Sequence, residues 1–185
     1  MNAVRPKTRD AIIEAAFAVL SKHPNASLGD VAQHAGVGRA TLHRHFPGRA
    51  ELIRALSLVA SEELDRAVEA ATSDAESATE ALALAFHAVV PLANRQWFLA
   101  QDWQDTDPDV AAAYTASRQE LHATMEEAKR EGGFAPDVPA IWLVEAYENL
   151  VYAAWSVVLT GDATPKQAAD FAWRTLTNGL KGERS

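Results

Sequence analysis

SLGDVAQHAGVGRATLHRHF, residues Ser27 to Phe46, reads as two short helices joined by a glycine turn. Ser27 followed three residues later by Asp30 predicts a capped helix start, the hydroxyl accepting from a first-turn N–H and the carboxylate favoured at the positive helix end. Leu28, Val31, Ala32 and Ala35 form one apolar stripe. Gly36 follows where a left-handed residue ends a helix, and Val37 is placed to plug the angle between the two helices. The chain restarts as RATLHRHF, in which Leu42 and Phe46 lie four apart on the side that packs on the first helix. Arg39, Ala40, Thr41, His43 and Arg44 are left facing outward. Arginines that reach guanine edges or phosphates, set among small residues that allow close approach, suit the major groove of double-stranded DNA. The pattern is a helix-turn-helix.

Together with its surroundings the stretch resembles the DNA-binding domain of the TetR family of transcriptional repressors. From Thr8 to Leu56 the chain follows the family order: an amphipathic first helix, Val31-Ala32, Ala35-Gly36-Val37, Thr41-Leu42, Arg44-His45-Phe46, then Arg49, Glu51 and Leu52. It departs at Gly38, where the family usually has Ser, and at His43, where it usually has a phosphate-contacting Tyr. Glycine still serves as an N-cap and an imidazole still donates to phosphate. The resemblance implies a phosphate contact at Arg49, and Arg39, Thr41, His43, Arg44 and Arg49, with help from Ser27, are expected to make the DNA contacts. It also implies a homodimer on a palindromic operator, and a helical remainder that binds a small-molecule effector and dimerises.

The 185 residues allow one domain or two small ones. Residues 1–56 are expected to be the DNA-binding domain and 57–185 the ligand-binding and dimerisation domain. The chain has no cysteine, which removes disulfides, thiol redox sensing and cysteine-ligated zinc. No signal peptide opens it, so the expected location is the cytoplasm. The net charge of −8 divides unevenly: Met1 to Leu56 holds eight Lys and Arg against four Asp and Glu, a net of +4, and the remainder is −12. Only the first third suits phosphate.

Asn2 to Lys7 reads as a basic arm, and Ile12, Ile13, Ala16, Phe17 and Leu20 recur at helical spacing behind the helix-turn-helix. After Pro47-Gly48 a long helix runs from Arg49 to about Ala71, leaving one domain and entering the other. Ala78 to Val90 is helical until Pro91 kinks or ends it. Arg95 to Gln104 is short and aromatic. Pro108 opens a helix carrying Val110, Tyr114, Leu121 and Met125 to Glu131, and Gly132-Gly133 stops it. From Val138 to Thr160, 17 of 23 residues are apolar. Glu145, Glu148 and Asn149 near its middle exclude a membrane span, so this helix is expected to be buried on all sides, between its own core and a partner. Thr164-Pro165-Lys166-Gln167 starts the last helix, which carries Ala169, Trp173, Leu176 and Leu180 and ends near Gly179 or Gly182. The fold class is all-α, with about nine helices and no strand, Val157 to Thr160 being a helix end.

No metal site, cofactor or catalytic residue is expected. His43 and His45, two apart on a helix, point in different directions, and His87 and His122 lack the paired glutamates of a di-iron bundle. There is no nucleophile motif, phosphate loop or acid–base pair. All five tryptophans fall in the acidic part. Trp97, Phe98, Trp103, Tyr114, Trp142 and Tyr152, with Glu145 as a polar group, are the expected lining of an effector cavity, and a carboxylate among aromatic rings favours a cation. The last two helices are expected to pair with their copies in a homodimer. Two other readings remain: a regulator of the same fold with no small ligand, and an enzyme on a helical bundle.

Overall fold

The computed structural model describes residues 8–99 and 108–179, save for the side chains of Gln96, Trp97 and Val110. Trp103, Gln104, Leu180, Gly182 and the basic arm therefore lie outside the described residues. Among those described there are nine α-helices and no strand. In order they are α1 (Thr8–Leu20), α2 (Leu28–His34), α3 (Arg39–His45), α4 (Arg49–Thr72), α5 (Ala78–Val89), α6 (Ala93–Leu99), α7 (Pro108–Arg130), α8 (Ala140–Thr160) and α9 (Pro165–Asn178). Pro91 does not merely kink the chain: Val90–Leu92 tightens into a 3-10 turn between α5 and α6. None of these helices is long and apolar enough to cross a membrane.

Local chemistry sets the ends. Ser77 accepts from the Glu80 amide to open α5, and Thr164 and Gln167 form a reciprocal capping box at α9 with Pro165 in the first turn. Glu131, just past α7, accepts from the amides of Ala78 and Thr79 at 3.1 and 3.3 Å and so ties the end of α7 to the start of α5. Gly133 sits in that joint. A Cβ there would fall 2.1 Å from the Thr79 hydroxyl oxygen, so any larger residue would force Thr79 to move.

Two apolar clusters organise these helices. The first gathers Ile12, Phe17, Leu20, Val31, Leu42, Phe46, Leu52, Leu56 and Ala60 from α1 to α4, and it is closed by Phe98 of α6. The second gathers Leu64, Leu82, Phe86, Met125, Phe134, Leu143, Val144, Tyr147 and Val151 with the small residues Ala168, Ala169 and Ala172 of α9. The handover falls within α4, between Ala60 and Leu64. One rigid helix therefore belongs to both clusters. α8 buries a single face, Ala140, Leu143, Val144, Tyr147, Val151 and Ala154, at helical spacing. On its other side Ile141, Trp142, Tyr152, Val157 and Leu159 are exposed among the described residues, with Phe171 of α9 exposed as well.

Candidate nucleic-acid interface

The helix-turn-helix forms as its sequence dictates. The Ser27 amide donates to an Asp30 carboxylate oxygen at 2.8 Å and the Asp30 amide donates to the Ser27 hydroxyl at 3.2 Å. The Ser27 hydroxyl also donates to that carboxylate oxygen at 2.8 Å, and this bond first, then the one from the Ser27 amide, holds the Asp30 carboxyl below the usual carboxylate range, with a smaller contribution from the Arg39 charge. Gly36 adopts φ +66°, a backbone that side-chain-bearing residues seldom take, and turns the chain into α3 behind Gly38 as N-cap.

α3 then divides as expected. Leu42 and Phe46 are buried at 1% and 3% exposure, while Arg39, Ala40, His43 and Arg44 are exposed and Thr41 is half-buried. The Arg39 guanidinium lies against the first turn of α2. A Cβ on Gly29 would come within 3.1–3.3 Å of its Nη2, Nε and Cζ, so a glycine inside a helix leaves room for that arginine. Ser27, Leu28, Gly29, Arg39, Leu42 and His43 line a recess of about 260 Å³ between the two helices. His43 Nδ1 stands 3.4 Å from the Pro47 carbonyl oxygen on an exposed ring. Arg49 is placed differently from the others. Its Nη1 donates to the Ala26 carbonyl at 2.6 Å and its Nη2 to the Pro24 carbonyl, both in the chain that leads into α2.

The residues expected to line an effector cavity are not gathered in one place. Phe98 is fully buried, but in the amino-terminal cluster, edge-on to Phe17 with ring centroids 5.5 Å apart. It fills a core and not a cavity, because α6 packs against α1 and α4. Trp142 is 67% exposed and Tyr152, 5.8 Å from Trp155, is 42% exposed, both on the outward side of α8. Trp103 and the Trp97 side chain fall outside the described residues. Tyr114 and Glu145 do come together, through a residue the sequence reading passed over. Arg118, one turn from Tyr114 on α7, donates to Glu145 at 2.5 Å and pairs with Glu148 at 3.4 Å. Burial pushes the Glu148 carboxyl and the Tyr114 phenol up, and Glu145 adds to both shifts. A separate groove of about 560 Å³ opens between the end of α7 and α9, lined by Lys129, Gly133, Phe134, Val138, Leu143 and Leu176. None of the expected aromatics lines it. Among the described residues no group of three His, Asp or Glu side chains is arranged to hold a metal ion.

A second unforeseen residue joins the two clusters. Arg95 on α6 is 9% exposed, donates to Glu63 of α4 at 2.9 Å and to Glu14 of α1 at 2.5 Å, and lies 4.3 Å over the Phe17 ring.

Comparison with known proteins agrees with this geometry. The sequence model of the family described as bacterial regulatory proteins, tetR family, matches residues 12–56. The chain is 30% identical over 181 residues to the HTH-type transcriptional repressor LfrR of Mycolicibacterium smegmatis (strain ATCC 700084 / mc(2)155), covering 97% of this chain and 93% of that protein. The crystal structure of the TetR-like regulator LfrR from Mycobacterium smegmatis in complex with proflavine superposes with a TM-score of 0.74 at 28% identity, over 95% of this chain and 97% of that one. AibR in complex with isovaleryl coenzyme A and operator DNA shares the fold, with a TM-score of 0.74 at 18% identity over 92% of this chain and 98% of that one.

Proposed function

Because this chain belongs to the TetR family of bacterial transcriptional regulators, we propose that it is a repressor that binds a palindromic operator as a homodimer and is released by a small molecule. A regulator of this family is not an enzyme. The observation that carries the DNA reading is the division of α3, with Leu42 and Phe46 buried behind an exposed face of Arg39, Ala40, His43 and Arg44. On this reading α3 enters the major groove. Arg44 reads a base edge, Ala40 and Thr41 permit close approach, and Ser27, Arg39 and His43 meet phosphates beside the recess between α2 and α3. We take residues 1–56 as the DNA-binding domain and 57–185 as the regulatory one, with α4 as their shared helix.

The effector reading is carried by the charge balance around Arg118. LfrR was crystallised with proflavine, a planar aromatic cation. Here two carboxylates, Glu145 and Glu148, share the single guanidinium of Arg118 beside Tyr114, a setting with one negative charge to spare for a cation. The proposed effector class is therefore an amphipathic aromatic cation.

The test is selection of a preferred duplex from a random library by the wild-type protein, followed by titration of Arg44→Ala and of an Arg39→Ala, Arg44→Ala double variant. Arg44→Ala should alter base preference at a cost of about 1–3 kcal/mol per lost bidentate contact. Unchanged binding by the double variant would sink the assignment.

A further inference from the structure

We propose that Arg49 is a positioning residue of the DNA-binding surface and not one of its phosphate ligands: its guanidinium pins the start of α4 to the chain entering α2 and so fixes how α2 and α3 are presented. The inference rests on the operator-binding reading above, and it begins from a residue in an unfavourable place. Arg49 is the first residue of α4, where the helix dipole disfavours a cation. What compensates is a pair of carbonyls. Nη1 donates to Ala26 at 2.6 Å and Nη2 to Pro24, reaching back more than twenty residues. Hydrogen bonds from a charged donor are roughly twice as strong as neutral ones, and a planar guanidinium can serve two acceptors at once.

These bonds matter because of where the carbonyls lie. Ala26 immediately precedes Ser27, the N-cap of α2, and its own amide donates to His23 at 2.9 Å. The segment from Ala26 to Arg49 contains all of α2, the Gly36 turn, α3 and the Pro47-Gly48 turn. Arg49 closes that segment on itself. Both ends of the helix-turn-helix are thus held at one point, on the helix that continues into the second apolar cluster. A shift of α4 is then carried to α2 and α3 by this brace as well as by Leu52 and Leu56 in the core behind them.

The test compares wild type with Arg49→Ala and Arg49→Lys in two measurements. Amide hydrogen exchange over residues 23–30 is followed in the free protein. Affinity is measured across a salt series for a random-sequence duplex and for the palindrome that wild type selects. The brace predicts exchange at least about tenfold faster in both variants, because lysine keeps the charge but not the fork. It also predicts a loss of about tenfold in preference for the palindrome over random duplex, with the salt slope of Arg49→Ala on random duplex unchanged. A slope lower by about 1, the mark of a lost phosphate contact, overturns the proposal, and so does exchange that matches wild type. If Arg49→Ala does not fold, Arg49→Lys carries the exchange and preference arms. Should wild type bind neither duplex, the operator reading fails, and the exchange comparison still decides the brace.

Discussion

Glu148 and Asp30 show how two carboxylates in one chain take opposite positions on the pH axis. Asp30 is fully solvated and doubly hydrogen-bonded by Ser27, so its folded value is depressed. Its contribution to stability is present above the unfolded value of about 3.9 and is lost as pH falls through the lower folded one. Glu148 is the reverse. Its side chain is only 17% exposed, burial raises its pKa, and Arg118 at 3.4 Å offsets that only in part because Glu145 competes for the same guanidinium. The folded state then holds the Glu148 proton more tightly than the unfolded chain does. That stability is fully present below about pH 4.3 and is lost as pH rises through the raised folded value. Glu148→Gln should therefore flatten the fall in stability from about pH 4.3 upward, read by thermal melts across a pH series. Parallel curves for wild type and variant would show that the buried carboxylate is fully compensated.

At the scale of elements, the seven-residue helix α6 does more than its length suggests. Phe98 completes the amino-terminal core against Phe17, and Arg95 spans Glu14 and Glu63, so the helix after the Pro91 turn is fastened to both α1 and α4. Phe98→Ala should destabilise the protein by about 3–5 kcal/mol, as for other fully buried phenylalanines. Arg95→Ala should cost nearer about 2 kcal/mol, because Glu14 is 58% exposed and stays hydrated when its partner is lost. Urea unfolding followed by native tryptophan fluorescence measures both. A change below about 1 kcal/mol for Phe98→Ala would mean that α6 is not part of this core. The two residues also mark where sequence reading stops. Ser27–Asp30, the Gly36 turn, the Thr164–Gln167 box and the stop at Gly132 were legible because each is a local event with a fixed spacing. The destination of Phe98 was not. Its partner Phe17 is some eighty residues away, and a long-range contact leaves no periodic signal, so composition alone groups the ring with the cavity-lining aromatics. Arg118 could have been found: it lies one turn from Tyr114, on the same face of α7. Arg49 carries only the signal of a basic group near DNA, because the carbonyls it reaches are not visible in side-chain identity.

The whole molecule presents one basic and one acidic end, with an apolar flank. The −12 charge beyond Leu56 disfavours phosphate there, which supports the proposed approach to DNA from the α2–α3 side. The flank explains what the sequence left open about α8. Its apolar residues were too many for one core, and the structure sorts them into a buried face and a row of Ile141, Trp142, Tyr152, Val157 and Leu159, with Phe171 of α9 alongside. Large rings this exposed on adjacent helices support the proposed homodimer, in which a second copy related by a two-fold axis would cover this row and match a palindromic operator. Half-sites would then lie roughly 34–36 Å apart, or a multiple of that turn. Trp142 is 67% exposed, so Trp142→Glu should leave the monomer folded while placing a charge against its own symmetry mate. Sedimentation at micromolar concentration should show a dimer for wild type and a monomer for the variant. Affinity for the selected palindrome should fall by about 10²–10⁴-fold as two linked contacts become one, while affinity for an isolated half-site stays the same. A wild-type monomer under these conditions would contradict the assembly, and a dimeric Trp142→Glu would move the interface off this face of α8.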